Sequence, residues 1–297
     1  MSADHPAGDW AHRMLARVCD ELGLDADRAR LLKFTNSAVF ALDGPGLVLR
    51  IAGSKPVSDK AARGVVMARW LAEHDVPAVR LVEEVPQPLY IDERAVTTWH
   101  LVPDEGAPPT PEDLGRLLRR LHAITEAPPG LPQWDQVASV RARLAAATIL
   151  ADDERAFLDE QINEVAEQLQ GVEPMLPPGP LHGDAHTGNL IPGPDGPVLC
   201  DFDSAAAGPR EWDLTPIAVG HLRLTPPPDA YPRFAASYGM DVLDWAGFSV
   251  FRRIRELQLV TSVLPVLATN PALQGEWRHR FDSLRSGDAS ARWHRYR

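Results

Sequence analysis

Cysteine is scarce in this chain of 297 residues: Cys19 and Cys200 are the only two. Two thiols make no disulfide framework, and such usage fits a reducing compartment, so a cytoplasmic location is expected. Long apolar runs are missing too. None approaches the roughly 20 residues that cross a bilayer, so no helical membrane span and no membrane partner are expected. Met1 to Asp9 is short, polar and acidic, with neither the basic flank nor the apolar stretch of a signal peptide. Lysine is almost absent, with 27 of the 30 basic residues being arginine; together with 28 prolines this speaks of codon usage rather than function. Internal repeats and low-complexity tracts are lacking, which excludes solenoids and linker-like chains. What remains is ordinary for a globular protein, at 44% apolar and 24% charged residues, and it excludes disorder, collagen and coiled coil.

The formal net charge is −11, and it is unevenly spread. Residues 1–103 are nearly balanced, with 12 basic and 14 acidic side chains, whereas residues 104–276 carry 12 against 25. Residues 277–297 reverse the sign with six arginines against two aspartates. An acidic middle repels nucleic acid backbones, so no nucleic acid partner is expected, and it favours cationic ligands or metal ions. The arginine-rich tail is expected either to cover the acidic region or to engage a partner.

The hydrophobic pattern divides the chain. After a predicted helix from Asp9 to Leu22, three short β-like runs (Leu31–Phe34, Ala38–Leu42 and Leu47–Ile51) are separated by turn residues and predict an antiparallel meander. A helix over about 58–74 and strands over Arg80–Glu84 and Arg94–Val102 complete a β-rich first lobe, 1–102. Beyond Pro103 the texture is helical. Thr110-Pro111-Glu112-Asp113 reads as a helix start, and further helices are predicted over 136–148, 152–170, 211–222, 230–239, 246–268 and 271–285. The expected fold class is therefore α+β and two-lobed, with lobes 1–102 and 103–297 joined at about 99–103. One polar stretch, Pro177 to Gly208, interrupts the helices with two short strand signals, Asn189–Ile191 and Pro197–Phe202. A polar hairpin among helices is where chemistry is expected.

That stretch contains Leu181-His182-Gly183-Asp184-Ala185-His186-Thr187-Gly188-Asn189-Leu190, then Val198-Leu199-Cys200-Asp201-Phe202-Asp203. Asp184 sits in a glycine-flanked loop, Asn189 at the start of one predicted strand and Asp201 at the end of its partner. A hairpin of this size brings the two ends together, so two carboxylates and a carboxamide converge. Hard oxygen donors of this kind suit magnesium, which takes its other ligands from water and phosphates. A carboxylate left off the metal can accept the proton of an attacking hydroxyl. This is the equipment of phosphoryl transfer, in which positioning and charge neutralisation matter more than covalent help.

His-x-Asp-x-x-x-x-Asn followed by Asp-Phe-x resembles the catalytic and metal-binding loops of the protein-kinase-like superfamily. The fuller string His-Gly-Asp-x-His-x-x-Asn is similar to that of its aminoglycoside phosphotransferase branch, which also holds choline-, homoserine- and methylthioribose-kinase-like enzymes. Arg210-Glu211-Trp212-Asp213-Leu214 matches the downstream segment of that branch. The resemblance implies a two-lobed protein-kinase-like fold and transfer of the γ-phosphoryl group of ATP, with GTP as the alternative, to a hydroxyl of a small molecule. It implies Asp184 as catalytic base, Asn189 and Asp201 as magnesium ligands, and His182 and His186 as structural members of the loop. Asp213 would brace that loop. Arg50 falls where a strand cation meets the nucleotide phosphates, and Trp99 and Leu101 fall in the hinge that offers backbone groups to the purine.

The chain departs from the pattern in three places. It has no Gly-x-Gly-x-x-Gly, and a shorter turn, Thr35-Asn36-Ser37, stands there. The third residue of the metal loop is Asp203 rather than glycine, expected to be a further metal ligand or an acidic wall toward a cationic substrate. The helix 58–74 has no acid near Gly64 to pair with Arg50. Lys33, a competing phosphate ligand, is expected to face solvent. Asp241, Asp244 and Glu256 are candidates on position alone to line a pocket for a cationic acceptor, and each reads more readily as part of a solvated face. Three other readings stay open: a kinase of Ser/Thr side chains in a peptide, a nucleotide-binding regulator with little catalysis, and a metallohydrolase built on His182, Asp184 and His186.

Overall fold

The computed structural model describes residues 6–296; the first residues of the polar N-terminal stretch, Met1 to His5, lie outside them. In chain order the elements begin with α1 (Pro6–Leu22), β1 (Ala29–Phe34), β2 (Ser37–Leu42), β3 (Leu47–Ala52), α2 (Lys55–Glu73), β4 (Leu89–Ile91) and β5 (Arg94–His100). There follow α3 (Pro111–His122), α4 (Gln136–Ala146), α5 (Asp152–Leu169), β6 (Gly179–Leu181), β7 (Leu190–Gly193), β8 (Gly196–Leu199) and β9 (Ala206–Gly208). The chain closes with α6 (Glu211–Arg223), α7 (Ala230–Tyr238), α8 (Phe248–Thr261), α9 (Leu264–Leu267) and α10 (Gln274–Arg285). Among the described residues no helix is long and apolar enough to cross a membrane.

Two compact units emerge, each drawn from separate stretches of sequence. The first joins residues 1–110 to 126–132 and, from much later in the chain, to His182–Ala206. The hairpin that carries the polar motif therefore groups with the sheet, whereas the division at 102/103 puts it with the helices. The second unit comprises Pro111–Thr125, Gln133–Leu181 and residues 207–297.

In the first unit a five-stranded sheet runs in the order β1-β2-β3-β5-β4, with each pairing antiparallel. The buried residues of α1 (Ala11, Met14, Leu15, Val18 and Cys19) recur at helical spacing and pack on Phe40, Leu42, Leu49, Ile51 and Val96. Burying each of the larger aliphatic side chains contributes about 1.5–3 kcal/mol. Side chains alternate along a strand, so with Leu49 and Ile51 facing α1, Arg50 and Ala52 face the other way. Ala52 indeed packs with Ala61 of α2 and Ala95 of β5. The opposite face of β3 thus belongs to α2, and Arg50 points to that side.

Strand β1 carries a bulge between Leu31 and Lys33, after which Lys33 pairs with Val39. Val39 in turn pairs with Arg50, and Arg50 with Thr97. The extra residue turns Lys33 onto the Arg50 face, because a one-residue shift exchanges the two faces of a strand.

The expected strand at 80–84 is not a strand. It meets β5 in one isolated bridge, Leu81 to Trp99, with His100 donating to the Arg80 carbonyl and Val82 to that of Thr98, while the chain just before it bridges to Leu199, whose carbonyl accepts from Val79. Neither run is long enough to form a ladder of its own. The predicted helix 246–268 is likewise divided into α8 and α9, since Pro265 has no amide to continue the helical hydrogen bonding and stands in the first turn of α9.

In the second unit α3 and α7 pack closely at Gly115. A Cβ there would lie 1.9 Å from Ser237 Oγ and 2.8 Å from the Phe234 carbonyl oxygen. Trp212, Trp245 and Trp277 are buried packing residues. The arginine-rich tail is docked. Trp293 is buried and donates from its indole to Ser283 Oγ, and Arg223 holds the carbonyls of Asp288 and Ala291. Arg285 reaches Asp153 at 3.0 Å. Glu256, a ligand-facing candidate by position alone, is buried against Arg223 and Arg252, and Asp241 is taken by the Tyr231 hydroxyl and the Leu243 amide.

The close α3–α7 approach makes Gly115→Ala destabilising by about 1–3 kcal/mol, because backbone has to move to admit the methyl. Gly220→Ala in α6, where the nearest atom to a new Cβ is 4.0 Å away, is expected to stabilise by up to about 1 kcal/mol. Thermal unfolding of the two variants checks the opposite signs, and a Gly115→Ala melting point at or above wild type counts against the packing argument.

Candidate active site

The site is built from two loops and one strand face of the first unit. The first loop starts where β6 ends. Gly183 has φ +85°, and a Cβ on it would lie 1.8 Å from the Ser204 carbonyl oxygen. Only glycine permits both the left-handed backbone and that approach. The loop around Asp184 is thereby pressed against the loop Phe202–Ser204.

His182, fully buried, ties the loops a second time. Its Nε2 lies 2.9 Å from the Cys200 carbonyl oxygen, and its Nδ1 accepts from the Asp184 amide at 3.4 Å. A carbonyl oxygen only accepts, so Nε2 is the donor in the first contact. The ring also packs on buried Phe202, centroid to centroid 5.4 Å. Both ring nitrogens of His182 are thus engaged by loop backbone rather than turned toward a metal. His186 Nε2 stands 3.8 Å from Asp184 Oδ2, beyond direct hydrogen-bonding distance. The metallohydrolase reading finds no support, for among the described residues no group of three or more His, Cys, Asp or Glu side chains could hold a metal ion.

The hairpin β7–β8 brings the other motif residues together. Leu190 pairs with Leu199 at its open end, and the Cys200 amide donates to the Asn189 carbonyl at 3.0 Å. Asn189 and Asp201 therefore flank the same opening. The Asn189 side-chain nitrogen donates to the Asp184 backbone carbonyl at 2.9 Å, which commits the amide end of the side chain and leaves its oxygen to serve as an acceptor. Asp201 is held with φ 66°, a left-handed conformation that aspartate tolerates better than most residues. Such a backbone is often found at functional sites.

Positive charge gathers on this carboxylate. Lys33 Nζ lies 3.7 Å and an Arg50 terminal nitrogen 3.6 Å from Asp201 oxygens, close enough for charge attraction but too far for hydrogen bonds. A carboxylate and a carboxamide oxygen flanking one opening are a donor set that fits a small hard cation such as magnesium. Lys33 is half exposed yet sits at the site, which the bulge in β1 brings about and the sequence pattern concealed.

Arg50 has its own acid. Both terminal nitrogens bind Asp203, Nη1 at 2.6 Å from Oδ1 and Nη2 on Oδ2. Arg63 of α2 donates to the Asp203 carbonyl at 3.1 Å. Burial works to lower the Arg50 pKa, but the hydrogen bonds and charge of Asp203, with Asp201 behind them, outweigh it and hold the guanidinium above its ordinary value. Asp203, expected as a metal ligand or a wall toward substrate, is the partner of Arg50. Trp99 pairs with Val48 and so shares the Arg50 face of the sheet. The Leu101 amide donates to the Gly46 carbonyl at 2.8 Å.

In the second unit Asp213 is fully buried, with Oδ2 3.1 Å from His122 Nε2, and His122 Nδ1 meets the Tyr238 hydroxyl at 2.9 Å. A cavity of about 350 Å³ nearby is lined by Arg119, His122, Arg210 and Tyr238. Its two guanidiniums disfavour a cationic occupant.

An antiparallel sheet, a helical second unit and a His-x-Asp loop beside an Asp-Phe loop define a phosphotransferase fold of the protein-kinase-like class. A sequence profile of the phosphotransferase enzyme family matches residues 29–256, and the chain belongs to that family. No curated protein matches it in sequence. Solved structures show the same fold at low identity. An amicoumacin kinase in complex with AMP-PNP, Ca2+ and Ami superposes with a TM-score of 0.73 at 14% identity, over 98% of each chain. A choline/ethanolamine kinase family protein from Mesorhizobium loti gives 0.64 at 19%, over 95% of this chain and 94% of that one. A GDP complex of an aminoglycoside 2'-phosphotransferase gives 0.63 at 13%, over 94% and 99%.

Burial, and after it the charge of Asp201, pushes the Cys200 thiol up to about 12, with Lys33 and Arg50 partly offsetting them. Burial raises Cys19 as well. An acid whose pKa is raised stays protonated to higher pH, so neither residue supplies much thiolate at pH 8. Native protein is expected to react slowly with a disulfide reagent at that pH and to release two fast thiols on unfolding. A rapid native thiol that Cys200→Ser removes would contradict the burial of this loop.

Proposed function

We propose that the chain transfers the γ-phosphoryl group of Mg-ATP to a hydroxyl of a small molecule. The observation that carries this reading is the chain of short contacts joining Asp184, Asn189, Cys200 and His182 around the open end of one hairpin. It gathers a carboxylate base and a carboxamide–carboxylate pair in the order that phosphoryl transfer uses.

In this reading Asp184 orients the acceptor hydroxyl and takes its proton as the oxygen attacks. Asn189 and Asp201 would hold magnesium, which when bound neutralises phosphate charge and orients the leaving group. Arg50 steadies the phosphates with the guanidinium donors not engaged by Asp203, and Lys33 adds charge at the same face. Trp99 and Leu101 supply the purine contact. With the Leu101 amide given to Gly46, its carbonyl is the group that accepts from the base, as suits an adenine amino group. GTP is the alternative nucleotide, supported by the GDP complexes among the structural neighbours.

The acceptor is a small molecule, as amicoumacin, choline and aminoglycosides are for the neighbours named for them. A cationic acceptor is supported by the acidity of residues 104–276. The functional division into a nucleotide lobe, 1–102, and an acceptor lobe, 103–297, is part of the same proposal, as are the cytoplasmic location and the absence of nucleic acid and membrane partners.

Magnesium-dependent ADP release, measured over a panel of aminoglycosides, other hydroxyl-bearing antibiotics, choline, homoserine and sugars, tests the reading and names the acceptor class. Asp184→Asn is expected to lower turnover by about 10²–10⁴-fold with nucleotide affinity unchanged. A folded Asp184→Asn that loses nucleotide binding instead would remove Asp184 from the role of base.

A further inference from the structure

We propose that Asp203 is the residue that positions Arg50 for the nucleotide phosphates, a role that the protein-kinase-like pattern gives to an acid on the helix after the third strand. The inference rests on the phosphotransferase reading and goes further, because it assigns a residue of the metal loop to the strand cation rather than to the metal.

Helix α2 cannot supply the acid. Its only two acidic residues are Asp59, which binds Lys55 at 2.7 Å, and Glu73, exposed at the last position of the helix. The place where an acid would stand is Gly64, on the buried face of α2. A Cβ built there would have Asp203 Oδ1 as its nearest neighbour, at 3.9 Å. The negative charge missing from the helix is therefore delivered to the same spot from the other side, by the residue that stands where the resembling motif has glycine.

The geometry is that of a clamp. Arg50 and Asp203 form a two-pronged pair, with side chains only 22% and 20% exposed. Arg63 fixes the Asp203 backbone through its carbonyl, so the clamp is anchored to α2 as a helix acid would be. A fork-to-fork pair fixes the guanidinium plane, which a single-point contact does not. Two donors are used on Asp203, and three of the five remain for phosphate oxygens. An arginine bound across both oxygens also makes Asp203 a poor ligand for a divalent cation, since the guanidinium charge lies against the same atoms.

The test compares Asp203→Asn, Asp203→Glu, Gly64→Glu and the double variant Asp203→Asn/Gly64→Glu in the full chain, each checked by its melting temperature. Mg-ATP affinity is read by calorimetry, and kcat, KM for ATP and the magnesium requirement by ADP release. Asp203→Asn is expected to weaken ATP binding and raise its KM by about tenfold, with kcat less affected and the magnesium requirement at saturating ATP unchanged. Gly64→Glu in that background is expected to restore affinity by returning a carboxylate to Arg50, and Asp203→Glu to keep most of it. The proposal is overturned if Asp203→Asn leaves ATP affinity unchanged, if it raises the magnesium requirement instead, or if the folded double variant shows no recovery. A wild-type protein that binds no nucleotide defeats the phosphotransferase reading and this proposal with it. A wild type that binds and turns over ATP while Asp203→Asn is indifferent defeats this proposal alone.

Discussion

Burying an imidazole costs free energy unless both ring nitrogens find partners, and His182 finds them on the two loops from which the site is made. Its Nε2 is given to the carbonyl of Cys200 and its Nδ1 to the amide of Asp184. Each loop is short and polar and has little apolar surface with which to fix itself. The imidazole supplies a rigid strut between them, and the contact of Gly183 with Ser204 closes the remaining gap. Loss of either would let Asp184 drift relative to Asn189 and Asp201, and catalysis by positioning has little tolerance for drift.

The strand side of the site follows from a different rule. Alternation along β3 puts Leu49 and Ile51 under α1 and leaves Arg50 on the α2 face, and the bulge in β1 rotates Lys33 onto the same face. Two cations then confront Asp201 and Asp203 across a half-buried space. Such a cluster is costly to desolvate if any member is unpaired. The fork between Arg50 and Asp203 satisfies the most buried members, and Lys33 keeps enough exposure to remain hydrated. An acid at Asp203 and a glycine at Gly64 are thus one arrangement, since a second carboxylate on α2 would meet the first. The departures from the family pattern, taken one at a time, look like losses. Taken together they describe a cation whose counter-charge has changed elements.

Much of this was legible in the sequence. The meander, both helices of the first unit and most later helices follow from hydrophobic period and turn residues, as does the hairpin carrying the motif. The spacing of Asp184, Asn189 and Asp201 announces the chemistry because loop and hairpin lengths are local quantities. The strand expected at 80–84 failed for a reason no local pattern records, namely that it meets β5 in one isolated bridge, Leu81 to Trp99, while the chain just before it turns to Leu199. The single helix expected over 246–268 failed at Pro265, a signal that was present and outweighed by apolar periodicity.

The amino-acid sequence by itself determined the family, the motif and the kinds of groups available, since these depend on residue identity and short-range spacing. Tertiary structure alone decided which groups meet. The partner of Arg50 lies 153 positions away, and Lys33 joins the site through a bulge that inverts its facing. Glu256, a candidate for ligand contact by position alone, is paired with Arg223 and Arg252. Charge pairing acts over a few ångströms of space and is indifferent to distance along the chain, so only the folded arrangement selects among the 41 carboxylates.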